Sequence, residues 1–286
     1  MPSLIDIRRR VRSVRNTQQI TKAMKMISAA KLRRAQDRAL GARPYREMLR
    51  QILENVAAEA AQNPDAAANP LLAVRPERKV LVVVVTADRG LAGGFNSNLL
   101  RLAQTFVNEN QDKELTFELI GRKGRDYWRR RTRAIRGEHI DVFRDLSYEK
   151  TWPIADSIIE RFEKQEIDAV YLFVNEFKNV MAPNVTMMRI LPVELPKTTA
   201  QVDYIYEQPP EELLANLLPH YVRTWLFRAL MESVAAEHAA RMAAMEAATT
   251  NASDMIDKLT RHMNRVRQAS ITREIIEIVS GAAALE

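Results

Sequence analysis

The sequence predicts an α/β protein in which a central α/β domain is carried by a long antiparallel two-helix coiled coil formed from the N- and C-terminal helices. Two of the observations behind this concern helix breakers: Ser3 to Leu40 and His220 to Ser280 contain no proline or glycine. At about 1.5 Å rise per residue, such stretches extend as helices for roughly 57 and 92 Å, beyond the ~30 Å of a compact domain. The third is the run Lys79-Val-Leu-Val-Val-Val-Val-Thr86, followed by six of the eight glycines between Gly90 and Gly137. A β-branched run of this kind marks a strand buried on both faces in a parallel sheet.

In the first stretch, Ile7, Val11, Val14, Ile20, Met24, Ile27 and Leu32 recur mostly at steps of three and four, the spacing of one apolar helix face that needs a partner helix. Asn16-Thr17-Gln18-Gln19 interrupts that stripe with polar side chains. Helix propensity drops at Gly41 and Pro44, and a helical pattern resumes from Glu47 to Ala61. Asn63 to Pro70 and Arg75-Pro76 read as a linker.

Strand-like segments follow at Leu115–Ile120, Asp168–Asn175 and Thr186–Val193, with helical patterns at Ser97–Asn110, Lys123–Arg131 and Ile154–Lys164. Strands alternating with helices predict a Rossmann-like sheet with helices on both faces. Glu211 and Glu212 suit the first turn of the last helix, where acids complement the macrodipole. Its apolar positions, from Val222, Leu226 and Leu230 through Met242, Met245, Met255, Leu259, Met263 and Val266 to Ile275 and Ile278, form a seam rich in methionine and alanine. Such a seam packs adaptably, and Thr249 to Ser253 make it polar and small. The expected divisions are 1–62 coil helix, 63–78 linker, 79–208 α/β domain and 209–286 coil helix.

Composition narrows the function. The chain lacks cysteine, which excludes disulfides and thiolate chemistry of its own. No apolar run is long enough for a membrane span, and the N-terminus lacks a signal-peptide core, so a cytoplasmic protein is expected. The net charge is +7, yet residues 1–50 hold 14 Arg/Lys against 3 acids, a net +11 that leaves −4 for the rest. A basic helix is either a solvated coil flank or a surface facing an acidic partner.

The glycine-rich loop Asp88 to Asn96 follows a strand and precedes a helix, a place where α/β proteins hold phosphates. It lacks both the phosphate-loop lysine and GxGxxG spacing, and a tight turn is the stronger reading. His139, His220, His238 and His262 have no metal-ligand spacing, and no nucleophile–base motif stands out. Nucleic-acid binding by a basic coiled coil is the alternative function. The absence of aromatic residues from 1–44 argues against stacked bases.

Three segments then resemble the gamma-subunit family of F-type (H+-transporting) ATP synthases, bacterial type: Asn16 to Met26, Asp88 to Asn96, and Arg267-Gln-Ala-Ser-Ile-Thr-Arg-Glu-Ile-Ile-Glu-Ile-Val-Ser-Gly-Ala-Ala-Ala284. Glu237 to Asn251 adds to it, so the resemblance runs the length of the chain. Ala92 departs from the family's usual cysteine. The resemblance implies a rotor that transmits torque between a proton-driven c ring and a catalytic alpha/beta hexamer, with no catalytic residue, cofactor or metal of its own. It implies beta-subunit contacts at Arg267, Gln268, Met24, Lys31, Arg33 and Arg34. It implies a bearing tip at Ala282, Ala283, Ala284 and Leu285 and a foot on the c ring and epsilon subunit at Tyr204 and Glu207. The implied partners are alpha, beta, epsilon and c subunits without nucleic acid, and the implied place is peripheral, on the cytoplasmic face of the bacterial inner membrane.

Overall fold

The computed structural model describes residues 3–41, 43–60, 69–132, 134–177, 184–194 and 208–283. Its elements in order are α1 (Leu4–Gly41), α2 (Arg43–Ala60), a 3-10 turn (Pro70–Leu72), β1 (Lys79–Val85), α3 (Phe95–Glu109), β2 (Glu114–Ile120), α4 (Arg122–Trp128), β3 (Ile135–His139), a second 3-10 turn (Val142–Asp145), α5 (Tyr148–Glu163), β4 (Ala169–Glu176), β5 (Asn184–Leu191) and α6 (Pro210–Ala283). The chain divides into two compact units, one of residues 1–28 and 242–286, the other of residues 29–241.

The larger unit is built on a five-stranded sheet in the order β3-β2-β1-β4-β5, parallel except for β5, which runs antiparallel to β4. β1 lies at its centre, and Val80 to Val85 are all completely buried. Alternate β1 residues feed opposite faces of the sheet. Leu81, Val83 and Val85 meet Ile154, Ile158 and Phe162 of α5 and Leu214, Leu218, Leu226 and Leu230 of α6. Val80, Val82 and Val84 meet Leu99, Ala103 and Phe106 of α3 and Trp128 of α4. Residues at alternate positions of a strand point to opposite sides, so a strand apolar at every position needs a cover on each.

Two close approaches depend on glycine. Gly121 has φ +94, and a Cβ there would lie 1.9 Å from the Thr86 carbonyl oxygen, a conformation and a contact that side-chain-bearing residues do not tolerate. Gly137 leaves room for Glu118, whose carboxylate a Cβ would meet at 1.8 Å. Glu118 is 1 % exposed and accepts from Arg161 Nη1 at 3.0 Å while pairing with His139 Nε2 at 2.5 Å. Partners of this kind are what make a buried charge tolerable.

The sequence reading misses β3, a short strand at the sheet edge in which no residue is fully buried. The final helix begins at Pro210 and runs through Pro219. An internal proline removes one i→i−4 hydrogen bond and ordinarily costs about 3 kcal/mol. Buried Leu214, Leu218 and Val222 on either side of it pack into the core, and this burial holds the helix through the break.

In the smaller unit, α1 and α6 pack antiparallel. Along the seam, the buried or half-buried positions include Leu4, Ile7, Val11, Val14, Gln18, Thr21, Lys25 and Ser28 of α1 and Met242, Met245, Thr249, Ala252, Ile256, Leu259, Met263 and Val266 of α6. Both sets alternate steps of four and three, the heptad spacing of a coiled-coil seam. The α1 stripe read from apolar residues alone is therefore corrected at Ile20, which is 59 % exposed. In the same unit the same applies to Ile27, 57 % exposed, whereas its neighbour Ser28 is buried at 2 %. A strict 3.5-residue period carries the seam to small and polar positions, and the isoleucines one place away face outward.

Candidate functional site

In open doubly wound sheets a ligand ordinarily enters at the carboxyl ends of the strands, where the strand order reverses. Here that place lies between β1 and β4, beneath the loop Thr86 to Gly94. The loop is tied down from several sides. Asn96 Oδ1 accepts from the Ala87 amide at 2.9 Å, and Asp88 Oδ1 accepts from the Arg122 and Asp141 amides at 3.0 Å each. Asn175, fully buried at the end of β4, donates from Nδ2 to the Phe95 carbonyl at 3.4 Å.

Helix α6 fills the crevice. Ala236 and Ala240 form one buried cluster with Ala87, Ala92 and Phe95, and the small side chains let the helix backbone come close to the loop. Arg241 donates from Nη2 to the Gly90 carbonyl at 3.3 Å and to Glu237 Oε1 at 2.5 Å. The glycine-rich loop is thus the seat of a helix, with Ala87, Ala92 and Phe95 buried against it.

This seat is strongly desolvated. Burial pushes the Glu237 carboxyl above the usual range, against the attraction of Arg241. Burial, reinforced by the Arg241 and Lys31 charges, lowers His238 to about 4. His238 is therefore neutral at physiological pH, with Arg241 Nη1 3.5 Å from its Nδ1. Sequence spacing carries no signal for this Glu237–Arg241 pair beyond its i,i+4 separation.

The coil presents a different kind of site. Thr21 and Thr249 place their hydroxyls 2.8 Å apart inside the seam, and they also lie 3.0 and 2.7 Å from the Gln18 and Met245 carbonyls of their own helices. Each hydroxyl has one proton, so one of them donates across the seam and the other to its own backbone. Lys25 Nζ lies 2.7 Å from Glu246 Oε2 at the seam margin. These contacts set the antiparallel register. Counting 17 residues back from Thr21 reaches Leu4, the first residue of α1, and the same step forward from Thr249 reaches Val266.

Arg267 and Gln268 therefore lie just past the start of α1, and both are exposed. Every residue from 271 to 280 is exposed, including Ile271, Ile275, Ile276, Ile278 and Val279 at 48 to 72 %. On α1, Met24 is half-buried, and Lys31, Arg33 and Arg34 are exposed on the part of the helix that belongs to the larger unit. The helix ends at Ala283, just after Ala282. Ala284, Leu285, Tyr204 and Glu207 lie outside the described residues.

Among the described residues, no group of acids and histidines could hold a metal ion, and no helix is long and apolar enough to cross a membrane. Fold and surfaces together define a class of protein: an α/β domain seated on a long helix, with a coiled coil whose outer surface carries the unsatisfied apolar and basic side chains.

Comparison with known proteins is more specific. Residues 3–285 match the family model described as ATP synthase. The chain is 62 % identical over 286 residues to the ATP synthase gamma chain of Solibacter usitatus (strain Ellin6076) and 52 % identical over 291 residues to that of Anaeromyxobacter sp. (strain Fw109-5), in both cases over the full length of both proteins. The chain belongs to the ATP synthase gamma chain family. Its fold matches a chain in the cryo-EM structure of the Euglena gracilis mitochondrial ATP synthase OSCP/F1/c-ring, with TM-score 0.67 at 17 % identity, covering 99 % of this chain and 94 % of that one. A chain of the Tetrahymena thermophila mitochondrial ATP synthase central stalk/c-ring structure matches with TM-score 0.61 at 22 % identity, over 80 % of this chain and 99 % of that one.

Proposed function

We propose that this chain is the central rotor shaft of a bacterial F-type ATP synthase, transmitting torque between a proton-driven c ring and an alpha/beta hexamer. The observation that carries it is the exposed apolar surface of α6 beyond Val266, where α1 has ended. Five large aliphatic side chains in nine residues, each roughly half exposed or more, favour burial in a partner, at about 25 cal/mol per Å² of apolar surface removed from water. An apolar sleeve lets such a surface turn, because hydrophobic contact is non-directional and no hydrogen bond has to break for each increment of angle.

The polar contacts fit intermittent engagement. Arg267 and Gln268 sit at the edge of the apolar segment and offer exposed donors for a beta-subunit loop. Met24, Lys31, Arg33 and Arg34 offer a basic, partly apolar surface to the same partner. Exposed ion pairs contribute about 0.2–1 kcal/mol each, weak enough to be made and broken in every turn. Ala282, Ala283, Ala284 and Leu285 complete the bearing tip, and Tyr204 and Glu207 the foot on the c ring and epsilon subunit.

The chain is non-catalytic within a complex that makes or hydrolyses ATP. The filled crevice under the Asp88–Asn96 loop supports this, and so does the use of Glu237 and Arg241 to hold a helix. It sits at the cytoplasmic face of the inner membrane, held there through its partners. The test is recovery from membranes: the tagged chain should bring down alpha, beta, epsilon and c subunits, and an Arg267→Ala, Gln268→Leu complex should assemble but turn over slowly. Recovery of nucleic acid in their place, with affinity falling steeply with salt, would favour the basic coiled-coil alternative.

A further inference from the structure

With the doubly wound crevice filled by α6, the larger unit keeps a different open cavity, of about 550 Å³, between α3, β2 and α4. Leu115, Phe117 and Trp128 give it an apolar wall, and Lys113, Arg131 and Gln111 are among its polar lining; among the described residues, no aspartate or glutamate lines it. Trp128 is 1 % exposed, with its ring centroid 4.6 Å from that of Phe117. Its indole N–H has no acceptor among the described residues.

The cations at the rim are prepared for a ligand. Arg131 is stacked over the Tyr127 ring, with Cζ 3.7 Å from the centroid, and its Nη1 donates to the Tyr127 carbonyl at 2.9 Å. Stacking and this bond fix the guanidinium plane and leave its other N–H groups without acceptors among the described residues. Lys113 Nζ reaches Glu77 Oε2 at 3.1 Å, but that carboxylate also serves Arg189 at 3.4 Å and the Tyr171 hydroxyl at 2.9 Å. Arg189 has a second carboxylate partner in Glu194, so Glu77 is left mainly to Lys113, and the uncompensated positive charge of the rim is that of Arg131.

We propose that this cavity binds a small amphipathic anion, with an aromatic or aliphatic body against Leu115, Phe117 and Trp128 and a carboxylate or phosphate head on Arg131 and Lys113. An anion alone would gain only a solvated ion pair with two surface cations. A neutral apolar molecule would leave the donors of Arg131 in water. The geometry favours the two properties in one molecule, because a planar guanidinium held by its neighbours loses little freedom on binding a carboxylate or phosphate.

The experiment titrates the full-length chain with phenyl phosphate and with benzoate, followed by tryptophan fluorescence and ligand-observed NMR. Phenol and inorganic phosphate serve as controls lacking the charge and the body. At least one of the two anions should saturate, with phenol and phosphate at least about tenfold weaker. Whichever anion binds more tightly identifies the head group. Arg131→Gln, a change at an exposed side chain, should weaken binding about tenfold at an unchanged melting temperature. Trp128→Phe should abolish the fluorescence response while NMR still reports binding. Equal binding by phenol and phenyl phosphate, unaltered affinity in Arg131→Gln, a persisting fluorescence response in Trp128→Phe, or no saturation by either anion would each overturn the proposal.

Discussion

The two units put their apolar residues in opposite places. In the larger unit the central strand is buried at every position from Val80 to Val85, and its residues meet leucine, isoleucine and phenylalanine from helices on both faces. In the smaller unit the seam includes Thr21, Thr249 and Ala252, while Ile20, Ile275 and Ile278 are 55 to 72 % exposed. A core of large, shape-matched side chains specifies one rigid arrangement. A small and polar seam specifies register at the expense of stability, and it leaves the large side chains for something outside the chain. The sheet domain thus buries its large apolar residues within itself, whereas the coil leaves several of its own exposed.

That contrast can be broken most forcefully at Gly121, where Gly121→Val places a β-branched side chain at positive φ and against the Thr86 carbonyl. The larger unit should then fail to fold to its native melting transition, as read by circular dichroism, while Gly41→Ala should be neutral or slightly stabilising because nothing lies within 4 Å of a Cβ there. Next in size, Leu81→Ala should cost about 2–5 kcal/mol in denaturant unfolding. Val11→Ala in the coil should cost about 1–2 kcal/mol, on about 0.8 kcal/mol per buried methylene. Equal losses at the two sites would remove the distinction.

The threonine layer sharpens the comparison. Thr21→Val should cost about 1 kcal/mol through its lost hydroxyl contacts, and the double change with Thr249→Val should cost less than the sum of the two single changes, since no buried hydroxyl is then left unmatched. Strict additivity in that cycle would mean that the 2.8 Å contact carries no coupling.

Acidification probes the helix seat. His238 is lowered from 6.5 to about 4 in the folded chain, so its contribution to stability is full above the unfolded value and is lost as pH falls through the window down to about 4. Glu237, raised above its ordinary 4.5, works in the opposite sense, because the folded state takes up that proton first and gains stability as pH falls through its raised value. His238→Gln should therefore flatten the acid loss of stability between about pH 6.5 and 4. An unchanged profile in the variant would show that other groups set it.

Much of the fold was legible because its signals are local. The breaker-free ends, the Val80–Val85 run and the strand–helix alternation each follow from residue types within a short window. β3 was not legible, because an edge strand with half-buried residues lacks an apolar run. The coil seam was read wrongly at Ile20 and Ile27, since hydrophobicity alone cannot say that Thr21 and Ser28 are the buried neighbours; a heptad count would have found them. The Asp88–Asn96 loop was legible as a tight turn. That it receives Ala236, Ala240 and Arg241 depends on contacts spanning some 150 residues, as between Gly90 and Arg241. Motif resemblance, and no property of spacing, pointed to Arg267 and Gln268.

The most direct measurement uses the absence of cysteine from the chain. Lys164, with its side chain 60 % exposed, can be replaced as Lys164→Cys to give a single attachment point for a visible probe on the sheet domain, in a complex whose alpha/beta head is fixed to a surface. A rotor shaft predicts stepwise rotation of the probe in one direction when ATP is supplied, stopping when ATP is exhausted. A probe that stays still while the complex hydrolyses ATP at its normal rate would contradict the central claim.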